Sequence, residues 1–239
     1  MISLTLILKC AVCEALPSLK SFPLCLDCKQ ALKTCPPLCP DCYSLECAPG
    51  FCLKPWVRQK RLNSLEIQYL MLGHSAHVLR GWKKRPSFLF DRLVLNLHTQ
   101  KIKRLKQKEI ELITFIPQNT ERSWILQGSP AYKIAHTLSE VLKIPVFEAF
   151  KTDEHTHTEN KRQALKNLTE RKMSMINFKV QKNMDRQILG KKILIVDDFY
   201  TTGRTLQSAA QALMQRGASA AHGFCLGLRP PRQTNQNHR

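Results

Sequence analysis

The stretch Ile193–Leu206, which reads ILIVDDFYTTGRTL, decides the fold and places the candidate site. It joins an apolar run, typical of a buried parallel strand, to two carboxylates, a Thr/Gly loop and a helix predicted over Thr205–Arg216. In open parallel sheets, ligands bind beyond the carboxyl ends of the strands. The loop suits phosphate, because N–H groups at a helix start lack helical partners and the helix dipole favours negative charge. Asp197 and Asp198 are positioned to accept hydrogen bonds from sugar hydroxyls, so the stretch predicts a site for a ribose phosphate. The predicted phosphate-binding residues are Thr201, Thr202, Gly203, Arg204 and Thr205.

Two other folds place acidic residues after an apolar strand. A response-regulator receiver carries its acidic pair near the start of the domain, with a phospho-acceptor on a later strand. Here 41 residues follow Asp198 and none is acidic, which excludes a receiver. A nucleotide-binding Walker B strand requires an upstream G-x4-G-K-[ST] loop, which the sequence lacks. An acidic pair that caps a helix without a ligand is the remaining alternative.

The rest of the chain alternates short apolar runs with amphipathic segments. This alternation predicts an α/β fold, a parallel sheet with helices on both faces. Ser129 is the predicted N-cap of the helix that begins at Pro130. The predicted strands are Leu65–Leu70, Leu112–Ile116, Val146–Phe150, Lys191–Val196 and Ala218–Leu228. The other predicted helices are Gly73–Trp82, Pro86–Leu97, Pro130–Leu142 and, least decisively, Thr158–Met175.

Nine of the ten cysteines lie within the first 52 residues. Without a secretion signal we expect a reducing compartment, where paired C-x2-C turns are better interpreted as metal ligands than as disulfides. Four thiolates close a tetrahedral zinc site, so we expect structural zinc in a small ribbon-like module. We assign residues 1–56 to this module, 57–229 to the α/β domain and 230–239 to a flexible tail. The predicted ligands are Cys10, Cys13, Cys25 and Cys28 in one site and Cys39, Cys42, Cys47 and Cys52 in the other, where Cys35 is an alternative ligand.

The formal net charge is +19, which favours a polyanionic partner, either nucleic acid or a phosphate-rich small molecule. For a nucleic-acid partner, the densest basic run is the candidate surface, with Trp82 and Phe88 as stacking or core residues. A solvated basic face without a partner is the alternative. No run approaches the roughly 18–20 apolar residues of a membrane span, and the first ten residues lack the basic region of a signal peptide, so we expect a cytoplasmic protein. The predicted nucleic-acid contacts are Arg80, Lys83, Lys84, Arg85, Lys101, Lys103 and Arg104.

The segment Val196–Thr205 resembles the phosphoribosyl-pyrophosphate (PRPP) signature of type I phosphoribosyltransferases. A cysteine-rich module followed by such a domain resembles the ComF family of competence-associated proteins, which includes GntX-like proteins. The resemblance implies that Asp197 and Asp198 hold the ribose hydroxyls as the catalytic pair and that Thr201–Thr205 hold the 5′-phosphate. It also implies Mg²⁺ that bridges pyrophosphate and ribose oxygens. Residues 125–130 and 161–178 depart from the family pattern, so PRPP-type binding is better supported than turnover.

The resemblance implies a competence protein of DNA uptake and natural transformation. Such a protein would bind single-stranded DNA and a PRPP-type phosphosugar, and other DNA-uptake proteins are possible partners. One alternative is a phosphoribosyltransferase of nucleotide salvage, in which a nitrogen nucleophile displaces pyrophosphate from C1. Another is a zinc-bearing adaptor without catalytic activity.

Overall fold

The computed structural model describes residues 9–10, 12–15, 24–48, 51–53, 61–84, 95–96, 98–117, 129–151 and 178–230. The six helices of these ranges are α1 (Leu26–Gln30), α2 (Gly73–Lys84), α3 (Thr99–Lys106), α4 (Pro130–Leu142), α5 (Asp185–Ile188) and α6 (Arg204–Gln215). The strands of the same ranges are β1 (Ser64–Leu70), β2 (Leu112–Phe115), β3 (Phe150–Lys151), β4 (Lys179–Val180), β5 (Lys192–Tyr200) and β6 (Ala220–Leu228).

Four of these strands form a parallel sheet in the order β1-β6-β5-β2. β5 and β6 lie in its centre and are buried on both faces, which explains their near-continuous apolar sequences. Their register pairs Leu194 with His222 and Asp197 with Cys225. β3 and β4 form a separate two-stranded antiparallel sheet.

Helices cover both faces of the parallel sheet. Alternate residues of β5 point to opposite faces, so Leu194 packs in the cluster that contains Trp82 of α2 and Leu138 of α4. Ile195 packs on the other face, in the cluster that contains Leu213 of α6. Each such buried aliphatic side chain contributes about 1.5–3 kcal/mol to stability. The predicted fold class is confirmed.

The ends of α4 and α6 follow from local chemistry. The Ser129 side chain accepts a hydrogen bond from the Tyr132 backbone N–H at 3.1 Å, and Pro130 occupies the first turn, where its missing N–H costs nothing. Lys143, with φ 62°, ends α4 in the left-handed region. Gly217, with φ 86°, follows the end of α6. The predicted N-cap at Ser129 is therefore confirmed.

Several predicted elements differ from the structure. The bounds of the strand predicted over Val146–Phe150 are wrong. Val146 makes only an isolated bridge to Ile113, and the strand of this region is Phe150–Lys151. β5 continues past Val196 to Tyr200 and carries both acids within the sheet. α3 had no counterpart among the predicted helices.

The remaining expectations lie largely outside the described residues. They include most of the helix predicted over Pro86–Leu97, that over Thr158–Met175, the module boundary at residue 56 and the tail beyond residue 230. The division of the chain into 1–56, 57–229 and 230–239 stays a prediction. Among the described residues, no helix has both the length and the apolar character that a bilayer crossing requires.

Candidate functional site

The acidic pair lies toward the carboxyl end of β5, the strand after which the sequence analysis placed it. Asp198 is only 8% exposed, and its Oδ2 forms an ion pair with the Lys83 ammonium from the last turn of α2. The same ammonium lies 5.4 Å from the centroid of the Phe199 ring. Lys83 is also one of the predicted nucleic-acid contacts, and its side chain remains 39% exposed.

The two acids have different electrostatic surroundings. Burial, and then the neighbouring Asp198 carboxylate, raise the pKa of Asp197 to about 7. The Asp197 Oδ1 accepts a hydrogen bond from the Asp198 N–H at 2.8 Å, and the Asp198 Oδ1 accepts one from the Phe199 N–H at 2.6 Å. In each acid, one carboxylate oxygen accepts this backbone hydrogen bond and the other oxygen does not take part in it. In Asp198 that oxygen is the partner of Lys83, so a ligand hydroxyl reaches it only after Lys83 moves away.

The loop after β5 presents unused backbone donors. Within the described residues, the structure records no hydrogen bond from the backbone N–H groups of Thr201–Thr205. The first helical bond of α6 runs from the Gln207 N–H to the Gly203 carbonyl at 2.9 Å. Gly203 has φ 75°, and a Cβ there would lie 2.7 Å from the Tyr200 ring. Only glycine fits at this position, and the free amides at a helix start suit an anion.

The cysteines form two four-thiol clusters. Within each cluster the sulfur atoms lie within 4.8 Å of one another, and all ten cysteines of the chain are free thiols. A tetrahedral zinc ion with Zn–S bonds near 2.3 Å requires sulfur atoms about 3.8 Å apart. The separations of 3.6 Å between Cys13 and Cys25 and 3.4 Å between Cys42 and Cys47 fit that geometry. Both clusters can hold zinc, in the two groups of four that the spacing predicted.

Local hydrogen bonds prepare one thiol in each cluster for metal binding. Burial opposes ionisation of Cys10, but bonds from backbone N–H groups outweigh it and lower its pKa to about 6. The same balance lowers the pKa of Cys39 to about 7. Cys35 lies outside both clusters, and burial raises its pKa to about 11, so it stays a thiol. The Cys28 sulfur lies 3.0 Å from the His74 Nε2 at the start of α2.

Comparison with known proteins assigns the second half of the chain. Residues 129–236 match the phosphoribosyl transferase domain family. The DNA utilization protein YhgH of Escherichia coli K12 is 25% identical over 228 residues, which cover 91% of this chain and 95% of YhgH. The competence protein ComFC of Bacillus subtilis 168 is 32% identical over 106 residues, which cover 44% of this chain and 39% of ComFC. The chain is therefore homologous to YhgH and to ComFC, and its residues 129–236 form a phosphoribosyl transferase domain.

A solved structure was also matched. The purine phosphoribosyltransferase from Pyrococcus horikoshii matches 59% of this chain and 75% of its own, with 16% sequence identity and a TM-score of 0.33. The phosphoribosyl transferase match contains β5, the Thr201–Thr205 loop and α6, so the residues that the PRPP resemblance singled out belong to the matched domain.

The predicted nucleic-acid contacts of this homologue divide into exposed and paired cations. The side chains of Arg80, Lys84 and Lys103 are exposed. Arg85 lies outside the described residues, as does the stacking candidate Phe88.

The paired cations, Lys101 and Arg104, also bind groups within the protein. Lys101 is 3% exposed, and its ammonium donates to the Cys35 carbonyl at 2.8 Å and lies 3.8 Å from Glu66. Arg104 donates from Nε to the same Glu66 carboxylate at 2.8 Å. Trp82 is 1% exposed and belongs to the core, which was one of its two predicted roles. The sequence shows that Lys101 is basic, but not that its ammonium binds a buried backbone carbonyl and lies beside a carboxylate.

Proposed function

We propose that this ComF homologue acts in DNA uptake and natural transformation, where it binds a PRPP-type phosphosugar and single-stranded DNA. The names of two relatives, the DNA utilization protein YhgH and the competence protein ComFC, support a role in this process. The free N–H groups of the Thr201–Thr205 loop beside an acidic pair carry the ligand assignment. Because eight cysteines are grouped as thiols, we place the protein in the reducing cytoplasm, with other DNA-uptake proteins as candidate partners.

The geometry gives each residue of the site a task. The loop amides and the hydroxyls of Thr201, Thr202 and Thr205 hold the 5′-phosphate, while Arg204 adds positive charge at its rim. Asp197 and Asp198 accept hydrogen bonds from the ribose hydroxyls. Their carboxylate oxygens are also the kind of ligand that Mg²⁺ prefers, and when bound the ion would neutralise the pyrophosphate.

Calorimetric titration tests the phosphosugar site. PRPP in the presence of Mg²⁺ should bind the wild-type protein, and Asp198→Asn should weaken binding at least about tenfold through loss of a charged hydrogen-bond acceptor. Asp185→Asn is the matched control, because Asp185 is an exposed acid paired with Arg216 at 2.9 Å in another part of the domain. Absence of PRPP binding by the wild-type protein, with both zinc sites loaded, would rule the phosphosugar proposal out.

Fluorescence anisotropy with a labelled single-stranded oligonucleotide tests the DNA part. Affinity should fall with salt, with a log–log slope of about −0.7 for each phosphate neutralised. Charge reversal at Arg80, Lys84 and Lys103 together should reduce both affinity and slope. If no oligonucleotide binds at 50 mM salt, about the low end of the range in which such contacts are measured, the DNA part is wrong.

The phosphoribosyl transferase match favours one second candidate, an enzyme of nucleotide salvage. In that reaction a nitrogen nucleophile forms a bond to C1 of PRPP while pyrophosphate leaves. The chain would contribute positioning and charge stabilisation through the loop and the acidic pair. Release of pyrophosphate with a nucleobase would establish this activity and exclude the inactive adaptor.

A further inference from the structure

A pocket of about 300 Å³ lies at the outer edge of β1. It is bounded by the first half of β1, by the proline-rich segment of the second cysteine cluster and by α3. β1 is an edge strand of the parallel sheet, and Ser64 and Glu66 lie toward its amino end. The pocket is therefore separate from the acidic pair, which lies at the carboxyl end of β5.

The edge of β1 presents hydrogen-bonding groups to this pocket. The N–H groups of Asn63 and Met71 bond to β6, whereas the Leu70 N–H and the Gln68 carbonyl bond to the segment at residues 33–35 on the other side. Because backbone direction alternates along a strand, the N–H and carbonyl groups of even-numbered residues point away from β6. Ser64 and Glu66 therefore direct a donor and an acceptor each toward the pocket, and within the described residues no partner is recorded there.

The opposite wall is apolar and firmly held. Pro36, Pro37 and Leu38 line it, together with Tyr43. The Tyr43 hydroxyl donates to the Leu62 carbonyl at 3.0 Å, which fixes the ring. The pocket thus has apolar lining residues and a polar backbone edge, the combination that ligand pockets use for binding energy and for orientation.

The charged rim of the pocket is positive. The single negative charge of Glu66 lies beside two positive charges, those of Lys101 and Arg104, and therefore balances one of them. Lys108 adds a further positive charge to the pocket lining. Burial, followed by the nearby Lys108 and Lys192 charges, lowers the pKa of His222 to about 4, so His222 is neutral where it meets the Ser64 hydroxyl at 2.8 Å. An anionic group at this rim would gain from the two unbalanced cations.

We propose that this pocket binds one nucleoside monophosphate unit, with the base against the apolar lining residues and the phosphate at Lys108 and Arg104. The proposal rests on the proposed function, because it gives single-stranded DNA a defined contact point. A base needs only one or two donor–acceptor pairs, which Ser64 and Glu66 supply. An extended peptide is disfavoured, because the segment at residues 33–35 already covers the second half of the β1 edge and leaves too little for strand addition.

Two lysines, one at the end of α3 and one just after it, provide a matched test. Lys108 lines the pocket, whereas Lys106 is exposed on α3 and does not line it. Lys108→Glu should weaken binding of dTMP and of a labelled dT12 oligonucleotide at least about tenfold, the loss expected for one charged contact. Lys106→Glu should change dTMP binding less than about twofold, because it removes only distant charge. Melting temperature and zinc content should stay unchanged in both variants.

A second variant tests the pocket without a change of charge. Leu38→Trp should fill the apolar side and weaken both ligands, and 5-iodo-deoxyuridine placed in dT12 should crosslink to the peptide that contains Tyr43. Equal losses from Lys108→Glu and Lys106→Glu on dT12, with no dTMP binding, would overturn the pocket while DNA binding survives. Binding of dTMP that dT12 does not displace would support the pocket and assign it to free nucleotides. Competition by an acidic peptide but not by dTMP would overturn the proposal, and failure of dT12 to bind the wild type would defeat the proposed DNA function itself.

Discussion

Gly203→Ala should destabilise the protein more than Gly190→Ala, although both glycines have the same backbone conformation. Gly203 has φ 75° and Gly190 has φ 73°, a region that side-chain-bearing residues rarely adopt. A Cβ on Gly190 meets nothing within 4 Å, whereas a Cβ on Gly203 lies 2.7 Å from two ring carbons of Tyr200. The pair separates backbone strain from the cost of a steric clash.

The expected magnitudes follow from these two effects. Left-handed strain costs about 1–2 kcal/mol and applies to both variants. Overpacking adds about 1–3 kcal/mol at Gly203 alone, because Tyr200 is only 9% exposed and packs in the core. A chain of this length loses about 2–4 °C in melting temperature per kcal/mol, so Gly203→Ala should melt roughly 2–12 °C below Gly190→Ala.

Thermal unfolding of zinc-loaded protein measures the difference, and PRPP titration follows its functional effect. Gly203→Ala should also weaken PRPP binding, because a shifted loop no longer aims its amides at one phosphate, while Gly190→Ala should leave affinity unchanged. The double variant with Tyr200→Leu should recover the extra loss relative to Tyr200→Leu alone. If the two alanine variants melt at the same temperature, the close approach of Gly203 to Tyr200 does not shape the loop.

Three further predictions concern the acids, the buried lysine and the metal. Asp197→Asn should raise the free energy of unfolding by about 4 kcal/mol at pH 8 and by progressively less toward pH 4, because a pKa raised from 3.8 to about 7 means that ionisation costs the folded state stability. A gain that does not vary in urea denaturation across this range contradicts the prediction. Lys101→Met should lower the free energy of unfolding, measured by chemical denaturation, by about 2–4 kcal/mol, because the bond to the Cys35 carbonyl is lost. DNA affinity should stay unaltered, and a selective loss of DNA binding would show instead that Lys101 contacts the ligand. Elemental analysis should find two zinc ions per chain and one in either Cys25→Ser or Cys42→Ser, and an unchanged zinc content in both would refute the cluster assignment.

Periodicity made the central elements predictable. An unbroken apolar run predicts a strand buried on both faces, and the predicted strand Lys191–Val196 became the core of β5. The spacing of Leu206, Ala209, Ala210 and Leu213 predicts one apolar helical face, and all four are buried in α6. In both elements the spacing of apolar residues predicts which side chains share a face, and that face is the one that packs in the core.

Other features depend on contacts between distant parts of the chain and could not be predicted. Nothing in the sequence around Asp198 indicates that Lys83 reaches it from the end of α2. The apolar run Val146–Phe150 has the composition of a strand, but its sheet neighbour β2 pairs only with Val146. Whether a basic residue faces solvent or a buried carbonyl is likewise decided by packing.

The position of β6 affects how the protein is made. This strand comes last among the described strands, yet it separates β1 from β5 at the centre of the parallel sheet. During translation, β1 cannot pair with β6 until the residues up to Leu228 have left the ribosome, a delay on the order of ten seconds at typical synthesis rates. In that interval the apolar faces of β1 and β5 are without their shared neighbour, so the nascent polypeptide is a natural client for chaperones.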